Sequence, residues 1–398
     1  MPLRRRKMRQ SMASLLLAVI YLAFISTGLP DSLLGSAWPL MVGGFEVPLS
    51  YAGAISTIIF SGSIVASLSS DRLLRRFGVG MVTAGSTLLT VVGMVGFSLA
   101  PSFPVLCLAA VPYGLGSGAI DAALNNYVAL HYAARHMNWL HCCWGVGASL
   151  GPYVMGAAVS ANQGWRMGYG WNAVIQAVLT LVLFLSLPLW KKNGDRGMTK
   201  KESDPSIGLV GAVKLPGVKA MMLAFVGYCG FESTVNLWTS SYLVEFKHID
   251  ADAAASLASL FFMGITIGRF VSGFVADRVG DRNMIRLGAG IIFLGAALIA
   301  LPIANEGIAL VGFLFIGIGA APIYPSLVHA IPHHFGTAQS RAVTAAQMAG
   351  ASTANTLMPP LFGVIAQYVD IGFFPLFMGA FIALMLWMYE SVSRKNKV

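Results

Sequence analysis

The chain has 398 residues, of which 56% are hydrophobic and only 11% charged, and its formal net charge is +10. An average soluble domain carries about 25% charged residues, so lipid rather than water must cover much of this apolar surface. There is no phosphate-binding GxxxxGK[ST] loop, no nucleophile–base pair and no metal-spaced ligand set, which argues against an ATP-driven pump, an enzyme and a metal or cofactor site.

Taken in chain order, Arg4, Arg5, Arg6 and Lys7 precede an apolar run from Met12 that continues to about Trp38 without a small-residue cleavage pattern. That run reads as an uncleaved first span. Apolar runs between polar or Gly/Pro breaks then predict spans over 12–37, 48–70, 79–100, 104–130, 138–160 and 167–190. A second set falls at 216–243, 252–276, 284–303, 306–330, 341–367 and 371–392. A bilayer is crossed by roughly 20 apolar residues, so the expected fold is an all-α polytopic membrane protein with twelve transmembrane helices. The one long polar connection runs from Lys191 to about Pro205. It divides the chain into an N-terminal six-helix bundle over 1–190, a linker over 191–215 and a C-terminal six-helix bundle over 216–398.

Of the 26 Lys and Arg residues, all but Arg166, Lys247 and Arg269 fall on the side that carries both termini. The positive-inside rule makes that side cytoplasmic, in a cell (inner) membrane, so the charge is a topology signal and not a nucleic-acid footprint. Cys107, Cys142, Cys143 and Cys229 all lie in apolar segments and read as small core residues.

The two halves repeat each other. After the second span comes Ser67-Leu-Ser-Ser-Asp71-Arg72-Leu-Leu-Arg75-Arg76, and after the eighth comes Gly273-Phe-Val-Ala-Asp277-Arg278-Val-Gly280-Asp281-Arg282. Gly114-Leu-Gly116 answers Gly317-Ile-Gly319, Gly151-Pro152 answers Pro359-Pro360, and Asp31 answers Glu232. The loop pattern GxxADRxGxR resembles the signature of the major facilitator superfamily. The second copy fits it well, whereas the first has Ser67 and Leu74 where glycines are usual. The resemblance implies two pseudo-symmetric bundles that alternate access to a midplane site. It also implies a cytoplasmic latch at Asp71 and Asp277, supported by Arg72, Arg75, Arg278 and Arg282. The other reading of these residues is that they only anchor the topology.

Ionisable groups inside spans are costly unless they face a cavity or a partner, so they mark the candidate site. They are Asp31, Asp121, Glu232 and Arg269, with His141 near the inner end of span 5. Asp31 follows Pro30, where the helix is expected to loosen. Asp121 lies one turn from Asn125, with Asn126 beside it, and Glu232 lies one turn from Asn236, with Trp238 nearby. A carboxylate and an amide on one helix face offer the acceptors and donors that grip a polyhydroxylated ligand, and Trp144 or Trp238 offers a ring face. The substrate-binding candidates are thus Asp31, Asn125, Asn126, Trp144, Asn236, Trp238 and Arg269. The proton-coupling candidates are Asp31, Asp121, Glu232 and His141, because a buried carboxylate can load a proton near neutral pH. Arg269 is open to three readings: an ion pair with a carboxylate, an anion site, or snorkelling to the inner surface.

Within the superfamily the chain is most similar to the fucose/glucose permease branch of sugar–proton symporters, through Asp31, a span 4 carboxylate at Asp121, and Asn- and Trp-containing inner faces. The branch implies proton-coupled transport of a monosaccharide or related polar solute by a monomer. Two other readings stay open: efflux of amphipathic drugs or metabolites through a cavity lined by Phe, Met and Trp, and carriage of an organic anion on Arg269.

Overall fold

A computed structural model describes residues 2–131, 134–193, 208–301 and 306–395. Within helices it leaves aside the side chains of 2–13, 71, 121–122, 126, 129–131, 134–135, 137–138, 191–193, 208–210, 277, 337–338, 341 and 395. The described residues are helical almost throughout. In chain order the helices are α1 (Pro2–Asp31), α2 (Leu33–Phe45), α3 (Tyr51–Leu99), α4 (Phe103–His131), α5 (Ala134–Ser160), α6 (Gly164–Leu185) and α7 (Leu187–Asn193). They continue with α8 (Gly208–Lys214), α9 (Val218–Glu245), α10 (Ala251–Val279), α11 (Asp281–Ala300) and α12 (Glu306–Ala320). The last are α13 (Ile323–Phe335), α14 (Thr337–Ile365) and α15 (Phe374–Lys395).

Among the described residues, 10 stretches are long and apolar enough to cross a membrane. The last of them, Ala342–Arg394, holds both α14 and α15, and α9 is not among the ten. Counting α14 and α15 separately and adding α9 gives the twelve spans expected from sequence. The outlier α9 is long enough to cross, but its middle carries Glu232, Ser233, Thr234, Asn236, Thr239, Ser240 and Ser241. Most of those side chains are buried inside the protein, so lipid need not tolerate them. Of the expected linker, residues 194–207 lie outside the described residues, and its flanks are the short helices α7 and α8.

The chain folds into two compact units, Met1–Leu33 with Ile58–Glu202, and Leu34–Thr57 with Ser203–Val398. The segment Leu34–Thr57 joins the second unit by close approach of its backbone. A Cβ on Gly35 would sit 2.2 Å from the Asn236 carbonyl oxygen, one on Gly53 would sit 2.6 Å from the Pro360 Cα, and Thr57 Oγ1 donates to the Thr356 carbonyl at 3.4 Å.

Each unit is packed by the same device. In the first, a Cβ on Gly114 would meet the Ile59 carbonyl at 2.2 Å and one on Gly116 the Ser86 carbonyl at 2.5 Å. In the second, Gly317 would meet the Phe261 carbonyl at 2.1 Å and Gly319 the Gly288 carbonyl at 2.5 Å. Only glycine allows helix backbones to touch in this way, and lipid supplies no hydrophobic push between helices to replace it. The glycine pairs read as a repeat in the sequence thus hold matching neighbours within their own units.

The loop repeat is less regular. Gly78, inside α3, and Gly280, between α10 and α11, both bend the chain with left-handed φ of 77°. Gly78 follows Asp71 by seven positions, whereas Gly280 follows Asp277 by three. The first copy therefore carries one extra helical turn before its bend, which explains why Leu74 stands where the motif expects glycine.

Candidate functional site

The first candidate centre is built around a break in the first span. Pro30 has no N–H to give to the Ser26 carbonyl four residues back, and α1 ends one residue later, at Asp31. The orphaned Ser26 carbonyl is taken up by Gln176 of α6, whose Nε2 donates to it at 2.9 Å and to Thr90 Oγ1 at 2.7 Å. The Pro30 carbonyl in turn accepts from the Tyr113 hydroxyl of α4. Ser32, in the break, donates to the Ala148 carbonyl of α5 at 2.7 Å. The loosening expected at Pro30 is present, and three neighbouring helices satisfy the groups it exposes.

Helices α1 and α5 cross at this break with backbones nearly touching. A Cβ on Gly28 would lie 2.0 Å from the Trp144 carbonyl oxygen, and one on Gly147 would lie 2.0 Å from the Ile25 carbonyl oxygen. That approach brings the Trp144 indole to Asp31, where Nε1 donates to Oδ2 at 2.8 Å. Asp31 is exposed and Trp144 partly buried, so this carboxylate keeps access to solvent or solute. His141, one turn before Trp144, lies edge-on to the Phe24 ring with centroids 5.8 Å apart. Tyr21 and His136 are joined by a 2.9 Å hydrogen bond between the hydroxyl and Nδ1. Asn125 of α4 is partly buried. Asp121 and Asn126 lie outside the described side chains, as do Asp71 and Asp277.

The second centre lies in the other unit. Arg269 of α10 faces Glu232 of α9 across 4.0 Å, with side chains 12% and 22% exposed. At that separation the two are an ion pair without a direct hydrogen bond. Tyr228, one turn before Glu232, donates to the Ala320 carbonyl at 3.1 Å and packs against Phe231 and Tyr324. Asn236 is partly buried beside Gly35. Trp238 is fully buried: its indole N–H donates to the Pro359 carbonyl at 2.9 Å and its ring meets Phe362. Trp238 is thus packed and hydrogen-bonded within its own unit.

At the loops, Arg72, Arg75 and Arg278 are exposed. Arg282 has a partner in its own unit: Glu390 of α15 accepts from Arg282 Nη2 at 2.6 Å and from Arg286 Nε at 2.7 Å. That clasp ties the start of α11 to the end of α15.

Three features are hard to find in the sequence alone. Glu390 sits at the last span's end, where nothing marks it as a partner of α11. Tyr169, Asn172, Gln176 and Thr180 of α6 form a buried uncharged stripe, recognisable only by its spacing of three to four residues. His329 and His333, one turn apart on α13, gather with Asp281 of α11, and of that group the sequence shows only the histidine spacing.

Helices long and apolar enough to cross a membrane, with the Glu232–Arg269 ion pair among them, define a polytopic membrane protein. The chain belongs to the Major Facilitator Superfamily, whose family model matches residues 20–346 and 220–398. Among curated relatives, it is similar to Bypass of stop codon protein 6 of Saccharomyces cerevisiae, 23% identical over 91% of this chain and 79% of that protein. It is also similar to the Glucose/mannose transporter GlcP of Bacillus subtilis, 22% identical over 77% of each chain. Two solved structures share the fold. A bacterial homolog of the human lysosomal transporter Spinster, in an inward-facing and occupied conformation, gives a TM-score of 0.70 at 14% identity, covering 96% of this chain and 97% of that one. The major facilitator transporter FucP, in its outward conformation, gives 0.61 at 14% identity, covering 94% and 98%. The fold and the transporter class are as the sequence implied, and these likenesses do not single out the fucose/glucose permease branch.

Proposed function

We propose that this protein carries a neutral polar solute, a monosaccharide or related compound, together with a proton, by alternating access between two six-helix halves over 1–190 and 216–398. The observation that carries the reading is the 2.8 Å bond from Trp144 Nε1 to Asp31 Oδ2. An accessible carboxylate beside an indole provides an acceptor for hydroxyl groups and an apolar face for a ring. The same carboxylate is a proton acceptor at a break in a span, two residues before the point where the chain leaves the first compact unit. Protonating Asp31 neutralises a charge that would otherwise resist closure of the loaded cavity. Asp121, Asn125, Asn126 and His141 are the further candidates for proton coupling or solute binding, and a relative named for glucose and mannose, GlcP, supports a sugar.

Glu232 and Arg269 serve as mutual partners, and Asn236, one turn on from Glu232, is a further candidate for contact with the solute. The charge-pair reading has the 4.0 Å separation in its favour over an organic anion held by Arg269. The chain acts as a monomer in the inner membrane with both termini cytoplasmic, and Asp71, Arg72, Arg75, Asp277 and Arg278 latch the cytoplasmic side.

Reconstitution into liposomes tests this. An imposed inward proton gradient should drive accumulation of glucose, mannose or a related sugar, and Asp31→Asn should abolish accumulation while leaving exchange. Unchanged accumulation in Asp31→Asn, or gradient-driven extrusion of lipophilic cations in place of sugar uptake, would overturn it.

A further inference from the structure

We propose that Asp281, His329 and His333 form a binding site for a divalent transition metal, with zinc the best match to the donor set. The two histidines lie one turn apart on α13, with ring centroids 5.5 Å apart. Asp281 is the first residue of α11, held by the bend at Gly280. Its Oδ2 lies 2.8 Å from His329 Nδ1. One donor atom from each of the three residues falls within 4.8 Å of the other two.

Histidines at i and i+4 face the same way on a helix and are a natural two-point grip for a metal. Zinc bonds to nitrogen and carboxylate oxygen are about 2.0–2.2 Å, which puts neighbouring donors of a tetrahedron roughly 3.3–3.5 Å apart. The Asp281–His329 pair is already closer than that, so a small opening and a rotation of His333 complete three ligands. Two imidazoles and a carboxylate without a thiolate suit zinc, cobalt and nickel and not calcium or magnesium. The His329 side chain is 72% exposed, which leaves an entry path and room for water as a fourth ligand. His334 does not join the site, because its ring packs edge-on to Tyr389 at 5.9 Å.

The framework behind the ligands is firm. Helices α11 and α13 are held together where a Cβ on Gly288 would lie 2.9 Å from Ile323 Cγ1. A metal here would bridge the start of α11 and the second half of α13, beside the bend that follows the loop motif. The bridge is independent of the Asp31 centre and of what the protein carries.

The test uses the untagged full-length protein in detergent, stripped of metal and titrated with Co2+ for its visible absorption and with Zn2+ for stoichiometry by equilibrium dialysis. Wild type should take up one more equivalent than His329→Gln/His333→Gln, and Asp281→Asn should bind that equivalent more than roughly ten-fold more weakly. Melting of wild type should rise with zinc, and the metal-free variants should melt as metal-free wild type does, separating lost ligation from lost folding. No excess equivalent in wild type, or retention of wild-type affinity in either variant, would overturn the proposal.

Discussion

Trp144 donates its indole N–H to Asp31 across 2.8 Å, and this bond ties α5 to the point where α1 breaks. Trp144→Phe keeps a ring and removes the donor. A hydrogen bond to a charged group contributes about 1.5–3 kcal/mol, so the apparent affinity for a sugar that engages this pair should fall by roughly ten-fold or more. Uptake at varied sugar concentration by Trp144→Phe in proteoliposomes measures it, and wild-type affinity would detach the indole from the site.

The α1–α5 crossing depends on glycine. In Gly147→Ala the new methyl would lie 2.0 Å from the Ile25 carbonyl oxygen, so the two backbones must separate. Overpacking of this kind costs about 1–3 kcal/mol. We expect a lower melting temperature for purified Gly147→Ala, while Gly43→Ala, which meets nothing within 4 Å, should melt like wild type.

Gln176 should be coupled to Pro30. Gln176→Leu strands the Ser26 carbonyl, and an unsatisfied buried acceptor costs about 1–3 kcal/mol. Pro30→Ala restores a backbone N–H that can reach that carbonyl. The double variant should therefore lose less stability than the two single losses added together, by about 0.5 kcal/mol or more. Additive losses in chemical unfolding would show that Gln176 does not replace the missing bond.

The Glu232–Arg269 pair predicts an order of stability for single and double changes. Glu232→Gln leaves a guanidinium in a span without its carboxylate, and Arg269→Gln leaves the reverse. Each single variant should be less stable than Glu232→Gln/Arg269→Gln, because a charge inside a span that has lost its counter-charge costs more than the pair contributes. If Arg269 were an anion site, Arg269→Gln alone would remove anion binding in a thermal-shift screen without this recovery.

Much of this architecture is legible in the sequence because it repeats or punctuates. Pro30 announces a break, and Gly114-x-Gly116 and Gly317-x-Gly319 announce close helix crossings, since no other residues do those jobs as cheaply. Partners across helices are harder to read. Trp144 lies 113 positions from Asp31, and helical periodicity says which residues share a face but not which face it meets. Gln176 is inconspicuous because it is uncharged, although a buried amide must find partners as surely as a carboxylate must. Glu390 hides for the opposite reason, as a charge at a helix end where water is the default partner.

The differing bends at Gly78 and Gly280 make the two halves poor exchange partners. Four extra residues of helix lengthen the first copy by about 6 Å along its axis. Arg75 and Arg76 are spent on that added turn before the hinge, while Arg282 and Arg286 fall after theirs and close on Glu390. A loop transplanted from one half to the other would keep its hinge and carry its positive charge to the wrong side of it.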